Sequence, residues 1–496
     1  MCLQVVEPVH PLVPTRRTVD FEYWIFFAIA CLLLCLPIFL VSYTPLVDYP
    51  SHLARAYVIA NISDTSVFQQ NYILAHEPLP NLASDIIITP LLRFVGFRTA
   101  GRMFLVATVL LFALGCHLMG KTIAGCPVKR AILCAFFVYN SMFFYGFVNY
   151  VFGLGMFLVG LSLWLRWHTQ WTIVRYCAVM VFVSLTYLSH LTAWVFLALA
   201  FAIVCMSEFH FDDWVRPLQS FALFAPEIIL FISYRHPSPG ETAWGTLREK
   251  LIGAMPLLLT YNYSFDIVLA TLLLVLGVYL VRRSRAMKLL WPSSGIGAAF
   301  CVLYAISPHV WRGGSPVDAR FIPPALILIV LSLEVRLSRP VARRLFISFL
   351  IVLVFRLCAI VVAWIPLSRE IDSQVRLLTT LPQDVTLYPV FVPAPMADGT
   401  AKLDRALKHV PEYATITNHV FVPTQLAFPG QENLLFRNPL QYESASHSSK
   451  RWIDYMRQYD FVWLFDPTND VQEEISNNCD WIDGRNGFSL WRVRKR

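Results

Sequence analysis

Long runs of apolar residues recur along the chain, near 23–43, 102–120, 131–147, 151–167, 174–189, 191–207, 217–234, 265–281, 289–306, 321–336 and 345–366. A helix needs about 20 apolar residues to cross a hydrocarbon layer of ~30 Å. The pattern therefore predicts an all-α polytopic membrane domain of about eleven transmembrane helices, the pairs 131–167 and 174–207 being separated by the shortest turns. The first run exceeds the ~7–15 residues of a signal h-region and lacks a small-residue cleavage site, so it is expected to remain as an anchor. Beyond about Pro366 the pattern changes. The short runs DVTLYPVFV, HVFVP, FVWLFDP and FSLWRVRK alternate with polar and helix-like segments, which predicts a small α/β C-terminal domain over 367–496. No internal repeat, inverted symmetry or low-complexity segment is evident.

Charge sets the orientation of these runs. Arg16/Arg17, Lys121/Lys129/Arg130, Arg166/Arg175, Arg282/Arg283/Arg285/Lys288 and Arg336/Arg339/Arg343/Arg344 fall on alternate connections, which the positive-inside rule assigns to the cytoplasm. Residues 1–22 are then cytoplasmic, 23–366 form the membrane domain, and the long first loop 44–101 and the C-terminal domain lie outside. With 57% hydrophobic and only 15% charged residues, against roughly 25% charged in soluble domains, the composition is that of an integral membrane protein. The formal charge of +8 is accounted for by the inter-helix clusters, and nothing argues for nucleic acid as a partner. Eleven scattered cysteines without a CxxC pair point to neither a disulfide framework nor a zinc site.

A first loop of this length must hold structure. In VDYPSHLARAYVIA, Pro50 suits the first turn of a helix and disfavours helical geometry just before it, so a helix is predicted from Pro50 with Asp48 just ahead. His52, Arg55 and Ile59 share one face of that helix. A second helix is predicted after LPN, with Asn81 near its cap and Asp85 in its first turn. Asp48 has the chemistry of a general base at the membrane surface, or of an acid offsetting the helix dipole. His52 and Arg55 offer donors to an anionic phosphate, or a solvated face. Arg312 and Arg320 flank WRGGSPVDARF in an outer connection, where positive charge is depleted, which suits a phosphate clamp or a snorkelling anchor. Arg235 and His236 begin another outer loop, as charge for an anionic phosphate or as a solvated loop, and His190 occupies a tight outer turn, as a cavity lining or a simple turn residue. His76 and Glu77 make no metal motif. Glu227 and Arg356 fall inside apolar runs, as a buried ion pair or a cavity lining. The sequons at Asn61 and Asn262 matter only in a glycosylating secretory pathway.

This combination resembles the C superfamily of glycosyltransferases (GT-C), integral membrane enzymes that use polyprenyl-phosphate-linked sugars. The resemblance rests on architecture over most of the membrane part, and by residue on VDYPSH and on DARFIPPALILIVLSL; NLASD and GFVNYVFG are similar to stretches of bacterial members. It implies Asp48 as the catalytic acid of the first outer loop, acting as base. It further implies Arg320 beside the substrate; His52, Arg55, Asp85, Arg312 and His236 are further substrate-binding candidates by their own position in the outer loops. The expected reaction is inverting transfer of a sugar to a lipid, glycan or protein acceptor outside a bacterial inner membrane. It requires no cofactor, and no carboxylate cluster calls for a divalent cation. A transporter or lipid flippase is the competing class, with Glu227 and Arg356 marking its pathway.

Overall fold

The computed structural model describes residues 21–75, 77–209, 214–233, 240–253, 263–311, 314–391, 406–427, 431–437, 451–485 and 487–495. Five helices among them are long and apolar enough to cross a membrane: α1 (Phe21–Phe39), α5 (Phe97–Ala124), α8 (Val148–Trp167), α14 (Tyr263–Arg283) and α17 (Arg339–Leu378). The shorter apolar helices α9 (Ile173–Ser189), α10 (Leu191–Ser207) and α15 (Ser293–Ile306) complete an integral membrane bundle with α16 (Ile322–Ser332). At the centre is α8, buried over most of its length, against α5. Gly115 and Gly155 permit that crossing: a Cβ on Gly115 would lie 2.8 Å from Leu158 Cβ, and one on Gly155 would lie 3.1 Å from the Leu111 carbonyl carbon. Small residues let membrane helices approach to this distance.

Three runs depart from simple spans. The 131–147 run breaks into α6 (Lys129–Ala135), a 3-10 turn (Phe136–Val138) and α7 (Ser141–Phe144), because the Asn140 side chain accepts from Met142 N (2.9 Å) and Phe143 N (3.3 Å) and so starts a new turn. The 217–234 run divides into α11 (Val215–Ala222) and α12 (Ala225–Ser233), bent by 48°, where Pro226 at the second position of α12 has no N–H to continue the ladder. The 321–336 run ends its helix at Ser332; β3 (Leu333–Arg336) then pairs antiparallel with β2 (Ala286–Leu289). The last run is the reverse case. With 40 residues α17 is about 60 Å long, twice a bilayer core, and it carries Ile371, Val375 and Leu378 into a core shared with Leu387, Val410 and Tyr413.

The first loop folds as α2 (Tyr49–Asn61), α3 (Ser66–Asn71), β1 (Tyr72–Leu74) and α4 (Ala83–Leu91). The C-terminal part is built on a four-stranded sheet, β4-β6-β8-β7, from β4 (Leu387–Phe391), β6 (Phe461–Phe465), β7 (Cys479–Arg485) and β8 (Phe488–Val493). β4 and β6 are parallel; the other two pairings are antiparallel. Of the predicted strand runs, HVFVP contributes only a bridge from Phe421 to Thr386.

The two parts are joined, since β1 pairs antiparallel with β5 (Leu434–Phe436). Val58, Phe68 and Tyr72 of the loop pack in one cluster with Tyr388, Phe421 and Trp452. The short helix α18 (Tyr413–Asn418) also lies against α2. The segment carrying Asp48 is thereby held between the membrane bundle and the C-terminal sheet.

Candidate active site

Asp48 is fixed by its backbone. Val47 N donates to Phe144 O (3.1 Å) and Asp48 N to Tyr145 O (3.0 Å), docking the chain after α1 onto the turn between α7 and α8. Gly146, at φ +82°, makes that docking possible, because a Cβ there would come 2.5 Å from Asp48 N. α2 begins at Tyr49, one residue before the predicted Pro50. Asp48 occupies its N-cap position, yet its side chain makes no capping hydrogen bond. The carboxylate instead faces a cavity of ≈ 350 Å³, lined also by His52, Asn149, His190, Arg320 and Glu432. Burial raises Asp48 above the usual carboxylate range, with the positive groups of His409, Lys408 and Arg320 opposing that rise.

Arg55 lies behind the cavity wall, fully buried. Its Nε donates to Asp85 Oδ1 (2.9 Å) and Oδ2 (3.0 Å), and one terminal nitrogen is 2.6 Å from Glu432 Oε2. The other is 3.2 Å from His52 Nδ1 and 3.3 Å from Ser84 Oγ. A guanidinium has only donors, so His52 accepts at Nδ1, and its own proton sits on Nε2. Burial and the Arg55 charge hold His52 well below its ordinary value, making it a neutral imidazole. Burial also pushes Glu432 up to about 8 and raises Asp85, against the pull of Arg55. From this cluster the Ser84 backbone N–H donates to Asn149 Oδ1 (2.8 Å), and Asn149 Nδ2 donates to Asn81 O (2.5 Å). Asn81 itself stands at φ +74°, a left-handed conformation that asparagine tolerates.

The opposite wall comes from the start of α16. Tyr150 Oη donates to the Arg320 carbonyl (2.5 Å), and the Arg320 guanidinium lies 5.2 Å from the centre of the Phe147 ring and 3.3 Å from Thr192 Oγ1. Its Nε is buried and has no hydrogen-bond partner among the described residues. A neighbouring pair, His309 and Asp318 (2.9 Å), braces the 3-10 turn Asp318–Phe321 that precedes α16.

The C-terminal part supplies a third side. His409 Nε2 lies 3.5 Å from Asp48 Oδ1, and His409 Nδ1 lies 2.6 Å from Glu412 Oε1. Glu412, fully buried, also accepts from Ser51 Oγ and, at 3.1 Å, from Thr424 Oγ1.

Asp48, His52 and Arg320 therefore meet at one cavity, with Arg55 and Asp85 behind it. Arg312, Arg235, His236 and His76 lie outside the described residues, and Glu77 does not line the cavity. His190 does line it, while accepting from Thr192 N (3.1 Å) as the cap of α10. Glu227 and Arg356 have different partners: Ser184 donates to Glu227 (2.5 Å), whereas Arg356 donates to the Phe136 (3.2 Å) and Tyr139 carbonyls and has Asp266 as its neighbouring acid. Sequence reading did not single out Asn149, His409, Glu412 or Glu432. The only local signals were a polar residue entering the apolar α8 run and the i, i+3 spacing in KHVPEY. Among the described residues no group of three or more His, Cys, Asp or Glu side chains is arranged to hold a metal ion.

No family model matches the chain, and no curated protein matches it in sequence. Among solved structures, the chain is similar to the crystal structure of ArnT from Cupriavidus metallidurans in the apo state. The TM-score is 0.55 at 11% identity, covering 96% of this chain and 98% of that one. ArnT is a GT-C glycosyltransferase, and the present chain shares its fold. At such identity the likeness speaks for the fold; the chemistry has to be argued from the cavity.

Proposed function

We propose that this protein is a membrane glycosyltransferase that moves a sugar from a polyprenyl phosphate to a hydroxyl of a lipid, glycan or protein acceptor. The observation that carries the reading is a helix-start carboxylate that makes no capping hydrogen bond and faces, across one cavity, an arginine whose buried Nε is unpartnered among the described residues. Asp48 takes the acceptor's hydroxyl proton as that oxygen attacks the anomeric carbon; the bond to the phosphate oxygen breaks, and Arg320 stabilises the charge gathering on the departing phosphate. One direct displacement inverts the anomeric centre. His52, neutral and held by Arg55, belongs to the sugar-facing wall, and Arg55 with Asp85 braces it. The scheme uses no cofactor. A donor carrying a radiolabelled hexose or pentose on a polyprenyl phosphate, incubated with purified protein and membrane extract, is expected to be consumed with transfer of label to extract. No consumption of any such donor would count against the enzyme and favour a transporter.

In the same assay Arg320→Ala should weaken donor use by about 1.5–3 kcal/mol, the scale of a charge-assisted hydrogen bond. Arg320→Lys should recover only part of it, since an ammonium lacks the planar fork. Unchanged donor affinity and turnover in the alanine variant would make Arg320 an anchor.

The accompanying topology is about eleven crossings of a bacterial inner membrane, with the N-terminus cytoplasmic and the C-terminal sheet outside. A reporter fused after Arg496 should be active only outside, and one inserted between Arg282 and Lys288 only inside. Both reporting the same side would overturn the count.

A further inference from the structure

We infer that His409, reaching in from the C-terminal part and anchored by Glu412, is a positioning residue that keeps the Asp48 carboxylate oriented and ionised for the reaction. This rests on the reading of Asp48 as the base. His409 is buried and bridges two carboxylates of unequal setting: Nδ1 is 2.6 Å from Glu412, and Nε2 is 3.5 Å from Asp48 Oδ1. Glu412 is the fixed end, because Ser51 Oγ and Thr424 Oγ1 both donate to it. Asp48 is the working end, since its side chain has no cap bond and opens on the cavity. An imidazolium between them donates from Nδ1 to Glu412, sets its Nε2–H against Oδ1 as an ion pair and leaves Oδ2 for the acceptor hydroxyl.

Electrostatics agree with this geometry. Burial alone would lower His409, but Glu412 first and Asp48 second more than offset it, so the imidazole is held above its ordinary value. The charged groups facing this pair are Glu412 and Lys408 from the C-terminal part and Arg320 from the start of α16; His52, from α2, is neutral. His409, Lys408 and Arg320 all oppose the burial-driven rise of Asp48, and His409 does so most. Removing the imidazolium must therefore raise Asp48 further and protonate the base at a higher pH.

The test follows the carboxyl infrared band that disappears in Asp48→Asn, titrated against pH in the purified full-length chain. His409→Gln is expected to raise the Asp48 midpoint by about one to three pH units, the effect of losing an opposite charge at ~4–6 Å. His409→Lys, which keeps a cation, is expected to leave it near the wild-type value. The acidic limb of kcat should move with the midpoint in each variant, using the radiolabelled polyprenyl-phosphate donor. An unmoved midpoint in His409→Gln overturns the proposal, as does a midpoint raised equally in His409→Lys. A midpoint that rises without any displacement of the kcat limb instead supports the contact and removes Asp48 from the base role. The infrared titration thus separates the failure of this inference from the failure of the parent reading.

Discussion

Asp48→Asn is expected to lose turnover by roughly two to four orders of magnitude while folding and binding the donor nearly as the wild type does. Asparagine keeps the size and the hydrogen-bonding outline but takes no proton. It also caps helices about as well as aspartate, so a role at the start of α2 would leave activity intact. The structure sharpens this contrast, because the Asp48 side chain makes no capping hydrogen bond. What holds it is the backbone pairing of Val47 and Asp48 with Phe144 and Tyr145, which is indifferent to the substitution. Label transfer and donor binding, measured on wild type and variant at matched melting temperature, decide the matter. Full activity in Asp48→Asn would remove it as the base and direct attention to Glu432, the other carboxyl on the cavity among the described residues.

The fold was legible to the extent that it depends on apolar run length and charge alternation. Those signals located α1, α5, α8, α9, α10 and α14, and period-two patterning located β4, β6 and β8. They failed where a polar side chain redirects the backbone inside an apolar run, as Asn140 does, because hydropathy averages over a residue that acts singly. They failed again at β3, whose residues read as the end of a span until β2 is there to pair with them. The site was half legible. Asp48, His52 and Arg320 stand out by position, and each reaches the cavity. His409 and Glu412 do not, since more than three hundred residues separate them from Ser51 and only the tertiary fold brings them together. Arg55 shows the limit of helical-face reasoning: sharing a face with His52 is correct, but that face turns towards Asp85 and Glu432, and pairing across elements decides the function of a charge.

That arrangement makes Arg55→Met the most destabilising substitution expected in the first loop, with a loss of about 3–5 kcal/mol, the usual consequence of removing one partner from a buried ionic group. Methionine preserves most of the volume, so the loss is electrostatic rather than a cavity effect. It leaves Asp85 and Glu432, both raised by burial, without the only guanidinium in contact with them among the described residues. It also frees His52 Nδ1 and Ser84 Oγ from a donor and loosens α4 against α2 at the cavity wall. Adding Asp85→Asn to Arg55→Met should recover part of the stability, because the buried carboxylate that lost its counter-charge is then neutral; coupling of this kind amounts to about 0.5–3 kcal/mol for residues in contact. A phosphate-clamping Arg55 predicts the opposite pattern. Its removal would relieve desolvation, leave the melting temperature unchanged and weaken donor binding selectively. Melting curves of the four members of the cycle in detergent, recorded with and without a polyprenyl-phosphate-linked sugar, separate the two. Unchanged melting of Arg55→Met together with lost donor stabilisation would place Arg55 on the substrate, and the bracing role of the Arg55–Asp85–Glu432 cluster would have to be given up.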